Sequence, residues 1–539
     1  MNPSIDPQQV EWDVVVVGTG MGGATLGHAL AKAGRRVVFV EKGAANLPAA
    51  NDSLRGCYPD ALPGYRRLST EDQQRALLRG GRSIDVIDDL SGHRPRQFVP
   101  MIGSGGGGST ALYGMVCERL FEADFRPRSQ HGDVGASTVP EAWPVSYAEM
   151  VPWYEEAETL YRVRGSADPL RPAGEGRKLL PPTPLTPASA ELYDFLRGKG
   201  LHPYRLHVAC ESVPECVACQ AILCPRACKH DAASTCLAPA ILQHGASLLA
   251  ETTAVRLEAS RTSVTRVICE RQGRTLSLRA RHVVLALGAL MTPVLLMNSA
   301  TAIWPRGLAN DSDQVGRNLM RHFSEMVLVR TRNGLRAPGQ VKEISFNDFY
   351  LPHSRGGREK LGSVQSFGRL PPADVSMNGL PHFLRAFAPL IRRLWRLAVT
   401  ANVLVGVMED LPYADNRVLP GDPLVGGPCQ RIRLQYRPQP PELRRIRAFR
   451  RCIAESLRPY RSIAFRTGED NTWVAHSCGT CRFGTDPVNS VLDRYNRAHG
   501  LDNLYVVDAS FFPSSGGINP GLTIAANALR VAGHLNERF

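Results

Sequence analysis

The apolar positions single out one stretch before any other. Val14 to Val17 form an unbroken β-branched run, the pattern of a strand buried on both faces of a parallel sheet. A helix is expected from about Met21 to Ala33, Gly34 ends it, and Arg36 to Val40 make a second buried strand. Further along, Val255–Glu258 and Val264–Glu270 read as a hairpin. Arg281 to Ala289 is another buried strand, and Thr292-Pro293 opens a helix with Pro near its first turn. Glu141 to Gly165 combines a turn at Trp143-Pro144, a Ser146 N-cap and an amphipathic helix carrying Met150, Trp153 and Tyr154. Ala44 to Pro100 is polar and irregular, Leu170 to Pro187 reads as a Pro-rich crossing, and the region after His322 shows mixed strands. Leu504 to Val507 is a late strand, and Ile524 to Asn536 a final helix.

Glycines join the first strand to the first helix. Gly18-Thr19-Gly20-Met21-Gly22-Gly23 has the G-x-G-x-x-G spacing: Gly18 makes the tight turn, Gly20 admits a pyrophosphate, and Gly23 lets helix pack on strand. Helix N–H groups from Met21 onward would face the phosphates. Glu41 follows about twenty residues on, where a carboxylate can hydrogen-bond an adenosine ribose. Strand, glycines, helix, strand and acid together indicate a dinucleotide, with NAD and FAD both open. A second glycine loop, Gly103 to Thr110, runs straight into Ala111 to Val116. So many missing side chains suit backbone lying flat against a large ligand, the alternative being a flexible linker.

Composition changes this picture little. The 539 residues are too many for one ordinary core, so two domains are expected. The net charge of +14 comes from scattered Arg without a basic block, which excludes nucleic acid as the expected partner. The N-terminus has no secretory pattern and no apolar run is long enough to span a bilayer, so a cytoplasmic protein is expected. Phe383 to Met408 mixes Arg with bulky apolar residues, a candidate for membrane-surface contact or for a helix covering a cavity followed by a core strand.

Thirteen Cys without export argue against a disulfide framework. Cys216, Cys219, Cys224 and Cys228, flanked by Cys210 and Cys236, approach the bacterial ferredoxin run with a longer middle gap. Zinc or iron–sulfur ligation is one reading. A reduced or disulfide-linked structural loop is the other.

The last informative blocks are His476-Ser477-Cys478-Gly479-Thr480-Cys481, the strand ending at Asp508-Ala509, and Gly516-Gly517-Ile518-Asn519-Pro520. With these, the order of blocks resembles the glucose-methanol-choline family of FAD-dependent oxidoreductases. The match runs from Asp13 to His534 and is weak from about 325 to 465. The resemblance implies an α/β FAD-binding, Rossmann-like domain and an α+β substrate-binding domain whose sheet covers the flavin. Its expected segments are 1–135 with excursions at 44–100 (FAD), 136–235 (substrate side and Cys-rich insertion), 236–322 (FAD), 323–468 (substrate) and 469–539 (FAD, with the catalytic residues).

It also implies roles. His476 is the expected catalytic histidine and Asn519 the second catalytic position. FAD contacts are expected at Gly18, Gly20, Met21, Gly23 and Glu41, at Gly106, Gly108, Ser109, Tyr113 and Gly114, at Val255, and at Asp508, Ala509, Asn519, Pro520 and Thr523. Tyr113 departs from the Asn common there. No His stands in the glycine loop for covalent flavin linkage, so non-covalent FAD is expected. Chemistry agrees with the assignment: an alcohol gives up a hydride and a proton, and an imidazole is the side chain best matched to the proton. An Asn amide can donate to the developing alkoxide. The expected function is oxidation of a small-molecule alcohol to an aldehyde or ketone, with a quinone, an electron-transfer protein or oxygen as acceptor. A dehydrogenase is expected ahead of an oxidase, the competing readings being a cyanohydrin-type lyase with idle FAD or a non-catalytic flavoprotein.

Overall fold

The computed structural model describes residues 6–47, 54–211, 213, 216, 219–333, 342–368, 401–422, 431–472 and 474–539. Its centre is the expected parallel sheet. Strand β1 (Glu11–Val17) pairs in parallel with β2 (Val37–Val40), Val14 opposite Val37. Helix α1 (Met21–Lys32) crosses between them. Val14 to Val17 are at most 2% exposed, burial worth about 1.5–3 kcal/mol for each side chain.

The chain then leaves the sheet. Helix α2 (Thr70–Arg79) and strands β3 (Val86–Asp89) and β4 (Arg96–Phe98) lie where an irregular stretch was expected. Their order depends on a distant partner: Ile87 of β3 sits opposite Ile432, in a strand more than three hundred residues later. Helix α3 (Tyr147–Leu160) has the expected cap, with Glu149 N–H donating to Ser146 Oγ at 3.2 Å. It is followed by α4 (Pro187–Gly198), β5 (Tyr204–Arg205) and the short α5 (Ala238–Leu242).

Strand β6 (Ser247–Leu249) returns to the edge beside β2. The hairpin is β7 (Thr253–Ala259) with β8 (Val264–Arg271), and β9 runs from Arg274 to Leu285. The strand expected from Arg281 thus begins seven residues earlier. Its first part alternates and pairs with β8, while Arg279 to Leu285 pair with β1. Only the latter part is buried from both sides, so only it reads as an apolar run. Helix α6 (Thr292–Asn298) follows.

A second sheet of six strands is built from β10 (Phe323–Arg330), β11 (Ile344–Phe346), β12 (Gly362–Ser366), β13 (Asn402–Met408), a late strand and β5. Strands β14 (Arg417–Pro420) and β15 (Arg431–Gln435) complete a four-stranded sheet with β3 and β4. Helix α7 (Pro440–Ser456) packs Ile446, Phe449 and Ile453 against Val327, Val364 and Leu404 of the six-stranded sheet. By the two-residue period of strands, Gln365 and Val405 therefore turn to the opposite face. The edge strand β16 (Arg461–Phe465) pairs with β10.

The C-terminal segment rejoins the first sheet through β17 (Leu504–Val506), parallel to β9. Helix α8 (Gly521–Asn536) then packs against α1 and α3. Residues 383–400 of the Arg-rich apolar stretch lie outside the described residues, and Asn402–Met408 is a wholly buried strand. Among the described residues no helix is long and apolar enough to cross a membrane.

Candidate active site

Two helix N-termini lie side by side. Helix α1 has Gly20 at its N-cap and α8 has Pro520, and neither is capped by a side chain. A Cβ on Gly521 would lie 3.4 Å from Met21 Cε, so the two helix starts touch. The glycines around them do separate jobs. On Gly18 a Cβ would meet Ala286 O at 2.4 Å, and on Gly23 it would meet Gly18 O at 2.1 Å, so both are required by packing. On Gly20 it would meet nothing within 4 Å, which leaves backbone facing open space in front of uncapped N–H groups.

The second glycine loop lies on the first. A Cβ on Gly108 would sit 3.0 Å from Gly20 Cα, and one on Gly106 would collide with Ala45 O at 1.9 Å. Glu41 ties the two loops together. Its Oε2 accepts from Thr19 Oγ1 at 2.7 Å and Thr19 N at 3.2 Å, and its Oε1 accepts from Gly43 N and Gly105 N, each at 3.0 Å. Ser109 is exposed at the rim, its Oγ accepting from Gly103 N at 3.1 Å. Val255 falls at a bulge between Ala254 and Arg256, outside the ladder pairing of β7 with β8. Asp508 spends its carboxylate on protein: Oδ2 accepts from Gly288 N and Thr292 Oγ1, and Oδ1 from Ser510 N and Oγ. Next to it, Ala509 C=O accepts from Gly479 N at 3.1 Å. Thr523 Oγ1 is paired with Tyr154 OH at 2.8 Å, so only its backbone faces the helix start.

The segment before α8 is pinned residue by residue. Trp143 Nε1 donates to Ser514 Oγ at 2.7 Å, His322 Nε2 meets Ser515 O at 3.1 Å, and Gly517 N donates to Tyr350 OH at 2.8 Å. Gln365 Nε2 donates to Asn519 Oδ1 at 2.8 Å, which commits the amide oxygen and leaves the Asn519 NH₂ for a ligand. Gln365 Oε1 is buried without a partner among the described residues. Behind this segment, Lys360 is wholly buried between Asp124 and Glu409, Tyr350 OH donates to Asp124 Oδ2, and His131 pairs with Glu409 at 2.9 Å. Burial opposes the Glu409 carboxylate, but Lys360 and His131 overcome it and hold its pKa low.

His476 comes to the same place from another direction. Met320 and Cys478 exchange backbone hydrogen bonds of 2.9 Å in an antiparallel bridge, which sets His322 opposite His476. Their Nδ1 atoms are 3.0 Å apart, and the rings meet edge to face. Burial pushes the His476 pKa down to about 3, with His322 and Lys342 adding to the effect. The Lys342 ammonium is buried against the end of the second glycine loop, where a Cβ on Gly114 would crowd its Nζ. Burial, and then Lys229, brings its pKa down to about 7.

The cysteines form a buried group beneath that loop. Cys210, Cys216 and Cys228 present sulfurs within 4.8 Å of one another, and Cys224 Sγ is 3.6 Å from Cys228 Sγ. They pack with Cys219, Met115 and Tyr113. Tyr113 turns its hydroxyl to His230 O, toward the cysteine segment. Lys229 Nζ, also buried here, donates to Ala111 O at 2.9 Å and Ile222 O at 3.1 Å. The neighbouring sulfurs stand at 3.6–3.8 Å from one another, Cys210 Sγ being 3.8 Å and Cys228 Sγ 3.7 Å from Cys216 Sγ. Cys236 lies apart, against Tyr161 and Thr25.

Neither His322, Gln365 nor Lys342 is singled out by the sequence pattern; His322 marks only the point after which mixed strands are expected. Gln365 and Lys342 fall where the family resemblance is weak. Cys210 was noted only as a flanking residue.

Residues 12–324 and 429–528 match the N- and C-terminal parts of the GMC oxidoreductase family model. The chain is 30% identical to 6'''-hydroxyparomomycin C oxidase of Streptomyces lividus, the alignment covering 97% of this chain and 92% of that protein. It is 26% identical to 2-methyl-1,2-propanediol dehydrogenase of Mycolicibacterium austroafricanum over 98% and 95%. The crystal structure of pyridoxine 4-oxidase from Mesorbium loti superposes with a TM-score of 0.64 at 20% identity, covering 98% of this chain and 99% of that one.

Proposed function

The chain belongs to the GMC oxidoreductase family and is an FAD-dependent oxidoreductase acting on CH–OH groups; from that premise we propose that His476 is its base and Asn519 its oxyanion partner. The observation that carries this reading is the position of His322. It hydrogen-bonds His476 through one ring nitrogen and Ser515 O, four residues before Asn519, through the other. The two blocks recognised separately in the sequence thus converge on one site.

The cradle suits FAD: open backbone at Gly20, two uncapped helix starts, and a glycine loop packed flat beside them. Gly18, Gly20, Met21 and Gly23 would hold the pyrophosphate, with Glu41 and Val255 toward the adenosine. Gly106, Gly108, Ser109 and Gly114, with Asp508, Ala509, Pro520 and Thr523, would surround the remainder, largely through backbone. When bound, FAD supplies the hydride acceptor. The lack of a His between Gly103 and Met115 supports non-covalent binding.

The protein's own groups handle the proton and the oxygen. His476, neutral at pH 7 because burial depresses its pKa, accepts the hydroxyl proton. The Asn519 NH₂, oriented by Gln365, donates to the oxygen as negative charge develops there. The start of α8 favours negative charge on the part of the cofactor beside it.

For the electron acceptor we favour a carrier other than oxygen, reached through an iron–sulfur cluster. Five buried thiols without a carboxylate among them suit such a cluster. Four of Cys210, Cys216, Cys219, Cys224 and Cys228 would ligate it. This differs from the sequence reading in admitting Cys210, which lies nearer the group's centre than its position in the chain suggests. Tyr113 and Met115 connect this group to the flavin-side loop. A cysteine-rich group that ligates such a cluster suits a reducing, cytoplasmic setting.

The test is anaerobic mixing of purified protein with a panel of alcohols, followed by oxygen or a quinone. Substrate-dependent bleaching of the flavin supports the oxidoreductase reading, whereas turnover without bleaching would establish a lyase. Faster reoxidation by quinone than by oxygen, with iron and acid-labile sulfide present, supports the carrier. Metal-free and sulfide-free protein with full quinone activity would end the cluster proposal.

A further inference from the structure

We infer that His322 is a positioning residue that fixes the proton of His476 on Nδ1 and so presents Nε2 as the bare base. The argument rests on the assignment of His476 as base and concerns which of its two nitrogens does the work. His322 is 2% exposed and lies between two fixed partners. On one side its Nε2 is 3.1 Å from the carbonyl oxygen of Ser515, which can only accept, so His322 Nε2 carries a hydrogen. In a neutral imidazole the other nitrogen is then a lone pair. That lone pair is His322 Nδ1, 3.0 Å from His476 Nδ1. Two nitrogens at this separation share one hydrogen, so His476 Nδ1 must donate it. His476 Nε2 is left without a hydrogen and without a hydrogen bond to any described residue.

The alternative arrangement needs His322 to be a cation, donating from both nitrogens. Its surroundings disfavour that. Burial lowers the pKa of His322; the backbone hydrogen bonds at Ser515 and Gly516 and the Glu409 carboxylate oppose the shift without reversing it, and Lys360 already neutralises that carboxylate. Lys342 lies on the His476 side and adds a further positive charge. The chain of hydrogen bonds, from His476 Nδ1–H to His322 Nδ1 and from His322 Nε2–H to Ser515 O, is therefore set by a backbone carbonyl that cannot reverse its role.

Proton accounting follows from this. When the alcohol O–H bond breaks, the proton bonds to His476 Nε2, and the imidazolium keeps its Nδ1–H bond to His322. No proton need pass through His322 for the base to work. Its contribution is to hold ring and tautomer, as a carboxylate does for the histidine of a hydrolase triad.

Two variants separate this role from a structural one. In His322→Leu the acceptor is lost and His476 is free to carry its hydrogen on Nε2. Flavin reduction in anaerobic stopped-flow should slow at least tenfold with flavin content unchanged. In His322→Gln the side-chain amide can still accept from His476 and donate to Ser515 O, and most of the rate should return. Nitrogen-15 spectra of histidine-labelled, flavin-loaded wild type provide a readout independent of turnover: His476 should show a protonated Nδ1 and a bare Nε2. A protonated Nε2 in wild type, or wild-type reduction by His322→Leu, overturns the inference. Wild-type reduction by His476→Ala would instead overturn the assignment of the base, so the two failures are distinguishable.

Discussion

The nucleotide cradle and the catalytic wall differ in how they are written into the chain. The cradle is local in sequence: Val14 to Glu41 encode strand, turn, helix and strand consecutively, with Gly23 and Gly27 answering to Gly18 and Phe39 inside the unit, although Gly18 and Gly22 also close on Ala286 and Val507. The proposed catalytic wall draws on residues 322, 365, 476 and 519, paired as His322–His476 and Gln365–Asn519 through a bridge at Met320–Cys478, a sheet face and a pinned segment. A local element fails mainly through changes within it, such as a side chain added at a packed glycine. A non-local one depends on groups that never touch a ligand. The cradle should therefore fail by losing cofactor, and the wall by losing rate or stability with cofactor retained.

The largest expected effect is in the cradle. A valine at Gly23 would drive Cβ into Gly18 O and Ala286 Cβ, so Gly23→Val should purify without flavin, as read by flavin absorbance per mole of protein. Full flavin content would show that α1 is not held against β1 as described. Next is the ion network behind Asn519. Lys360→Met leaves Asp124 and Glu409 buried without their cation, and denaturant melts should show a loss of about 3–5 kcal/mol. A loss under 1 kcal/mol would mean that water reaches the network.

Smaller effects should come from groups that orient the wall. In Gln365→Leu the Asn519 amide is free to turn, and flavin reduction should fall about tenfold, with flavin content unchanged, as expected for a hydrogen bond of about 1.4 kcal/mol. An unaltered rate would mean that Asn519 is held by other contacts. The smallest effect concerns pH. His476, at about 3, stays neutral from pH 6 to 9 and should give no step there. Lys342, at about 7, loses its positive charge as pH rises through neutrality. A shallow step of about threefold near pH 7 is expected, the size of a screened unit charge, and it should vanish in Lys342→Met. Persistence of the step in that variant would assign it elsewhere.

The same contrast explains what could be read in advance. β1–α1–β2 and the cap at Ser146 are governed by neighbours in sequence, and the structure shows both. β3 and β4 were unreadable because Ile87 is ordered by Ile432, and the lower half of β9 because its outer face is wet. His476 and Asn519 enter the proposal through their sequence blocks, whereas their partners His322 and Gln365 enter it through the fold. His322 had no signal beyond its place just before the region of mixed strands. Gln365 had no signal, since its importance comes from pointing away from Val364 in a sheet whose opposite face is closed by α7. The cysteine spacing indicated a site, but Cys210 joins it only through folding.

The central claim is that the cradle holds the cofactor while His476, far away in the chain, does the proton chemistry. Anaerobic stopped-flow of His476→Ala with an alcohol that bleaches the wild-type flavin tests it directly. The account predicts full flavin content and reduction slowed about a hundredfold or more. Reduction at the wild-type rate would contradict it.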